Sequence, residues 1–144
     1  MSTWGDDERL QAEGLPVPRA TALSGPHWQA CQRGELLVQR CSRCAYFVFP
    51  PEFACTACFS GDLQWTQSTG RGVIYSYTVI QRPQRPEFDV PTIAAIIELE
   101  EGWHMLSNII DVAEDDVAIG LPVQVHFCSR GKDVVLPMFE LIKS

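Results

Sequence analysis

The rhythm of apolar and polar positions changes twice along this chain. Up to residue 22, apolar residues are sparse and interrupted by Gly5, Gly14, Pro16 and Pro18. That pattern predicts a loose arm carrying one short helix at residues 6–12. Ser24-Gly25-Pro26 then reads as a helix start, with a serine cap and a proline in the first turn, and Gly34 reads as its stop. A helix over about residues 26–33 places Trp28 and Cys31 on one face. From residue 35 the apolar runs shorten into strands at 35–41, 46–51 and 63–66. Beyond Ser68-Thr-Gly-Arg-Gly72 the chain is dense in β-branched and aromatic residues, and strands are expected at 72–82, 92–100, 103–110, 122–129 and 134–142. In the second of these, Ile93, Ala95, Ile97 and Leu99 form one apolar face. Arg82-Pro-Gln-Arg-Pro86 cannot continue a central strand and is expected as an exposed loop. The acidic stretch 111–120 holds at most one helical turn, and Arg130-Gly-Lys132 separates the last two strands.

The chain is therefore expected to be mainly β, with an arm and helix at 1–34, a small metal-bearing ribbon at 35–67 and a β domain at 68–144. Five strands in about 70 residues suit an OB-type Greek-key barrel, in which closure removes exposed sheet edges. A small sandwich fits the strand count as well.

Composition narrows the class. Of 144 residues, 46% are hydrophobic and 20% charged, which suits a globular core. No apolar run approaches the roughly 18 residues of a membrane span. The first residues lack a basic region followed by an apolar one, so no secretory signal is expected and a cytoplasmic setting is the default. The net charge of −7 is unevenly spread. Residues 33–86 hold six arginines against three acids, whereas residues 87–144 hold eleven acids against three basic residues. An acidic barrel disfavours general polyanion binding but leaves room for a small anion near the middle segment.

Four of the six cysteines carry the strongest signal. Cys41-x2-Cys44 and Cys55-x2-Cys58 are separated by ten residues. Two residues between cysteines let both thiolates reach one ion, and the second pair completes a tetrahedron. Four thiolates leave no open coordination position, so the expected Zn2+ is structural, although tetrahedral sulfur also suits iron. A reducing compartment argues against the alternative of two disulfides. Two cysteine knuckles joined by a hairpin describe a zinc ribbon with little core of its own, dependent on its metal. Cys31 reads as helix packing. Cys128 falls with Gln124 and His126 on the polar face of its strand, which reads as a surface thiol; the sharper readings are an interface or a nucleophile.

No catalytic constellation is visible. His27, His104 and His126 lie on three elements, outside any recognisable nucleophile motif. Gly70-Arg71-Gly72 lacks the spacing of a phosphate loop. Trp28, Tyr46, Phe47, Phe49, Phe53 and Phe59 crowd a ribbon too small to bury them all, and their destinations are the core or an interface.

With these features in order, the chain resembles the acyl-CoA-associated family that joins a rubredoxin-like zinc ribbon to an OB fold, long catalogued as a domain of unknown function. The resemblance covers roughly residues 23–142. It rests on His27-Trp28, Gly34-Glu-Leu-Leu-Val-Gln-Arg-Cys41, Phe49-Pro-Pro51 before Cys55-Thr-Ala-Cys58, Ser68-Thr-Gly-Arg-Gly72-Val-Ile-Tyr-Ser76, Phe88-Asp-Val-Pro91 and Gly120-Leu-Pro-Val123. Two positions differ: Ala45 stands where many relatives have glycine, and Glu52 where many have arginine. The resemblance implies a non-catalytic accessory subunit in acyl-CoA and lipid metabolism, partner to a thiolase-like, aldolase or hydratase enzyme in a hetero-oligomer. It also makes Arg40, Arg43, Arg71, Arg82 and Arg85 candidate contacts to acyl-CoA phosphates, since guanidinium pairs bidentately with phosphate. For each of them the alternative is a solvated surface charge. Two other functional classes stand beside this reading: a single-stranded nucleic-acid binder built on the same two modules, and a small acyl-transfer enzyme using Cys128 or Cys31.

Overall fold

The computed structural model describes residues 15–130 and 133–143; the short helix expected at 6–12 and the turn residues Gly131 and Lys132 lie outside them. One helix and eight strands follow in order: α1 (Gly25–Gln32), β1 (Leu37–Cys41), β2 (Phe47–Val48), β3 (Leu63–Gln67), β4 (Arg71–Ile80), β5 (Thr92–Leu99), β6 (His104–Ile109), β7 (Pro122–Ser129) and β8 (Val135–Leu141). A single 3-10 turn, Glu114–Asp116, interrupts the acidic stretch.

Helix α1 begins and ends where glycine and proline place it, but Ser24 does not cap it through its side chain. Ser24 sits at φ −91°, ψ −9°, in the helical region rather than the extended one that aims an N-cap oxygen at the first turn. Its Oγ accepts instead from the Thr21 N–H at 3.0 Å. At the other end Gly34 takes φ 76°, and the Glu35 N–H reaches back to the Ala30 carbonyl at 2.9 Å, closing the helix through a left-handed residue.

Strands β1–β3 form a three-stranded antiparallel sheet in the order β2-β1-β3. Strand β2 is only two residues long, because Pro50 and Pro51 follow it and carry no N–H to extend the ladder. Strands β4–β8 close into a barrel in the order β4-β5-β6-β8-β7. The closure rests on two pairings: β4 against β7 (Gly72 opposite Val123) and a parallel contact between β6 and β8 (Ile109 opposite Phe139). These pairings make the domain an OB-type barrel and not a sandwich.

Alternation sets the core. Ile93, Ala95, Ile97 and Leu99 point inward from β5, and Ile74, Val123 and Phe139 meet them with almost no exposure. Gly72 lets β4 lie against β5: a Cβ there would fall 2.2 Å from the Glu98 carbonyl oxygen. The ribbon's own core is small, limited to Cys41, Val48, Cys55 and the half-buried Leu63. Leu36 and Val38 pack instead into the barrel cluster, with Phe47 and Phe49 against it. The ribbon thus shares its hydrophobic interior with the barrel, which fixes one against the other.

Cys128 is buried, contrary to the surface reading of its strand alternation. It forms a second small cluster with Ile110, Met138 and Leu136 outside the barrel interior. A strand in isolation shows which residues share a face; it does not show that neighbouring elements cover the outer one.

Candidate metal centre and ribbon–barrel cleft

The two cysteine knuckles are built alike. Cys41 lies at the end of β1, and its N–H donates to the Tyr46 carbonyl at 2.9 Å while the Ala45 N–H returns to the Cys41 carbonyl at 2.8 Å. In the second knuckle the Cys55 N–H donates to Ser60 and the Phe59 N–H to Cys55, both at 2.8 Å. Each turn requires a left-handed residue just after its second cysteine: Ala45 at φ 66° and Phe59 at φ 65°. The Ala45 position therefore demands what glycine gives most readily, and alanine takes it with some strain.

These turns bring four sulfurs together. Cys41 Sγ lies 3.7 Å from Cys58 Sγ, Cys44 Sγ lies 3.6 Å from Cys55 Sγ, and all four are within 4.8 Å of one another. A tetrahedron with bonds of about 2.3 Å has edges of roughly 3.8 Å, so the donor set fits zinc. Backbone amides also point at the sulfurs: Cys44 N–H at 3.5 Å from Cys41 Sγ and Ala57 N–H at 3.3 Å from Cys55 Sγ. The Cys44 N–H pulls the Cys41 thiol down to about 7, against the cost of desolvation, with help from the Arg43 N–H and neighbouring sulfurs. Burial would raise Cys55, but the amides of Cys58 and Ala57 and the facing sulfurs outweigh it and leave it lowered. The Tyr46 N–H would lower Cys44, yet burial and the three sulfurs around it push it up to about 12. Such crowded thiols cannot all ionise without a cation among them, and a divalent ion resolves that conflict.

The candidate arginines do not converge. Arg40, on β1, donates to the Ala45 carbonyl at 3.4 Å, and its guanidinium lies 5.4 Å from the Phe47 ring centre. Arg43 is exposed within the first knuckle. Arg71 opens β4, whereas Arg82 and Arg85 lie in the loop after it, Arg85 paired with Glu87 at 3.4 Å. A ten-residue strand rising about 3.3 Å per residue separates Arg71 from that loop by roughly 30 Å. One bound molecule cannot use all five in the manner of a single phosphate pocket.

The histidines are equally dispersed. His104 on β6 faces Glu98 at 3.2 Å, and His126 on β7 faces Glu140 at 3.9 Å. Cys128 Sγ points to the His126 carbonyl at 3.7 Å rather than to its ring. His27 and Cys31, one turn apart on α1, do meet inside the helix–ribbon–barrel junction, with Cys31 Sγ 3.9 Å from His27 Nε2. Burial pushes the Cys31 thiol up to about 12 and lowers His27, the Leu37 backbone opposing the latter more weakly. Both groups are therefore neutral near pH 7, and the pair is packing rather than a thiolate–imidazolium nucleophile. The i, i+4 spacing was present in the sequence, but only the burial gives it meaning.

The aromatic residues divide. Phe49 packs between His27, at 5.6 Å, and Trp103, at 5.1 Å, while Trp28 meets His27 at 4.7 Å. Tyr46, Phe53 and Phe59 remain 52%, 79% and 81% exposed.

Where the first knuckle faces the β5–β6 turn, a cleft of about 410 Å3 opens, lined chiefly by Tyr46, Phe47, Phe49, Glu101, Trp103 and His104. Glu101 organises its floor. Its carboxylate accepts Ser68 Oγ at 2.6 Å, Thr69 N–H at 3.0 Å and Trp103 Nε1 at 2.9 Å. Burial would raise this carboxyl, but those donors hold it below the ordinary range, so it stays ionised. No motif in the sequence marks this cleft, because its walls come from segments more than fifty residues apart.

Comparison with known proteins bears on the ribbon and on the barrel. A family model described as the ChsH2 rubredoxin-like zinc ribbon domain matches residues 28–64, and one for the ChsH2 C-terminal OB-fold domain matches residues 65–128. A DUF35 domain-containing scaffold protein of Methanothermobacter thermautotrophicus is 37% identical over 98 residues, covering 67% of this chain and 74% of that protein. A probable enoyl-CoA hydratase alpha subunit of Thermomonospora curvata is 33% identical over 124 residues; these cover 86% of this chain but only 39% of that protein. Among solved structures, a chain of the Ltp2-ChsH2(DUF35) aldolase superposes with a TM-score of 0.79 at 31% identity, covering 86% of this chain and 98% of that one.

Proposed function

Because the chain belongs to the DUF35 family, with a ChsH2-type zinc ribbon joined to an OB-fold barrel, we propose that it is a non-catalytic accessory subunit of an acyl-CoA-processing enzyme, a hydratase or an aldolase. The observation that carries this reading is the superposition over 98% of a chain of the Ltp2-ChsH2(DUF35) aldolase. In this role Cys41, Cys44, Cys55 and Cys58 hold one zinc ion, which supplies a rigid fourfold anchor and no vacant position for substrate. The division we adopt puts the ribbon at residues 35–67 and starts the barrel at 68, close to where the two family models meet. The barrel, sharing its core with the ribbon, presents a preformed surface to the catalytic subunit, so little ordering entropy is lost on association. Arg40 and Arg43 beside the first cysteine pair, Arg71 at the start of β4, and Arg82 and Arg85 in the loop after it are the candidate contacts to acyl-CoA phosphates, and the length of β4 separates Arg71 from the last two. A cytoplasmic setting agrees with four cysteines gathered as thiolate ligands for one ion; among the described residues no helix is long and apolar enough to cross a membrane.

The test is co-expression with acyl-CoA hydratase and aldolase subunits from the same host, followed by size-exclusion chromatography and activity assays. Co-elution and a rise in the partner's activity are expected. A chain that stays alone and alters neither enzyme refutes the proposal, and salt-sensitive binding to single-stranded DNA at physiological ionic strength would favour the nucleic-acid alternative.

A further inference from the structure

The cleft continues onto the outer face of the barrel. His104, on its wall, packs edge-on against the Tyr75 ring at 4.8 Å and pairs with Glu98. Tyr75 stands at an irregularity in the β4–β5 register, between Ile74 and Ser76, and is 56% exposed. Two residues along β6 from His104, Leu106 is 68% exposed beside Ile96 of β5. A continuous band results, from Tyr46 at the cleft mouth through Tyr75 to Leu106, apolar in its middle and acidic at its Glu98 and Glu101 side. Bands of this kind, with aromatic anchors and a charged rim, are the surfaces partners cover.

Its chemistry selects the occupant. Aromatic faces beside an ionised carboxylate attract a cation. Glu101 is held in place by Ser68 Oγ, the Thr69 N–H and Trp103 Nε1, and its carboxylate lines the cleft. Phe47 already carries the Arg40 guanidinium over its ring, the same contact made within the chain. The cleft volume admits one long side chain with its waters.

Resting on the accessory-subunit reading above, we infer that this band is the docking surface for the catalytic subunit, and that the cleft receives a lysine or arginine side chain projecting from an apolar patch on that partner. The geometry makes the contact a charge-assisted one at a desolvated centre, where single residues carry much of the affinity.

Calorimetric titration of the full zinc-loaded chain with the catalytic subunit it co-elutes with, at two salt concentrations, tests the assignment. Leu106→Glu and Glu101→Gln should each weaken Kd at least tenfold, and Glu101→Gln should also flatten the salt dependence. Tyr46→Ala, which leaves the Glu101 bonds intact, should cost at least fivefold and serves if Glu101→Gln fails to fold. Asp115→Asn, in the exposed 3-10 turn at residues 114–116 and outside the band, should stay within twofold. A competent wild-type complex whose Kd ignores Leu106→Glu and Tyr46→Ala overturns the surface assignment while leaving the accessory-subunit reading intact. Sensitivity to Leu106→Glu alone overturns the role of the cleft. Self-association of the isolated chain abolished by Leu106→Glu identifies a second copy as the occupant and overturns the inference. A wild-type chain that binds no hydratase or aldolase overturns both readings.

Discussion

Replacing Gly72 by alanine should be among the most damaging single-methyl additions to this protein. The new Cβ would sit 2.2 Å from the Glu98 carbonyl oxygen, 2.9 Å from its carbonyl carbon and 3.0 Å from Leu99 Cα. All three are backbone atoms of β5, so no side chain can swing aside. An ordinary carbon–oxygen contact needs roughly 1 Å more, and that can come only from separating β4 and β5. Gly72 pairs with Leu99 on one side and Val123 on the other, at the point where β4 closes the barrel. Overpacking alone costs about 1–3 kcal/mol, and the upper end applies where backbone is the obstacle. Weakening one or two ladder hydrogen bonds adds about 1 kcal/mol each, for a total of about 3–5 kcal/mol. Urea titration of the zinc-loaded protein, followed by far-ultraviolet circular dichroism, measures it. Gly25→Ala is the matched control: a Cβ there meets nothing within 4 Å, so stability should change by less than about 1 kcal/mol. A Gly72→Ala variant within 1 kcal/mol of wild type would refute the close-approach argument.

Three further outcomes are expected. Cys44→Ser should lower zinc content, read by elemental analysis, well below the one ion per chain expected of wild type, and the ribbon amides should lose dispersion in two-dimensional NMR, because its private core is only a few side chains. His27, held neutral by burial, binds its proton more weakly folded than unfolded. The stability it permits is therefore full above pH 6.5 and declines as pH falls below it; His27→Gln should flatten that slope in chemical denaturation between pH 7 and 5. Iodoacetamide at pH 8 should leave both Cys31, whose thiol is pushed up to about 12, and the buried Cys128 unmodified in the native protein, as read by intact mass; rapid labelling of either would reopen the acyl-transfer reading.

The local rules served well where one segment determines its own conformation. The cysteine spacing marked the knuckles, β-branched runs marked the barrel strands, and the alternation in β5 named the inward residues correctly. Pro50 and Pro51 shortened β2, which the apolar run alone overstated. Ser24 failed as a cap because its backbone is helical, a property set by the turn with Thr21.

The sequence by itself determined the metal-ligating set, the strand count and the family resemblance, since each depends on residues close together or on short-range conformational preference. Only the tertiary structure decided that the sheet closes, that Cys128 is covered, that Ser68 and Trp103 meet at Glu101, and that Glu101, Trp103 and the first knuckle enclose a cleft. The physical reason is shared by all four. Each depends on which distant segments come into contact, and that is fixed by the joint burial of the ribbon's and the barrel's apolar faces, a property no single stretch of the chain possesses.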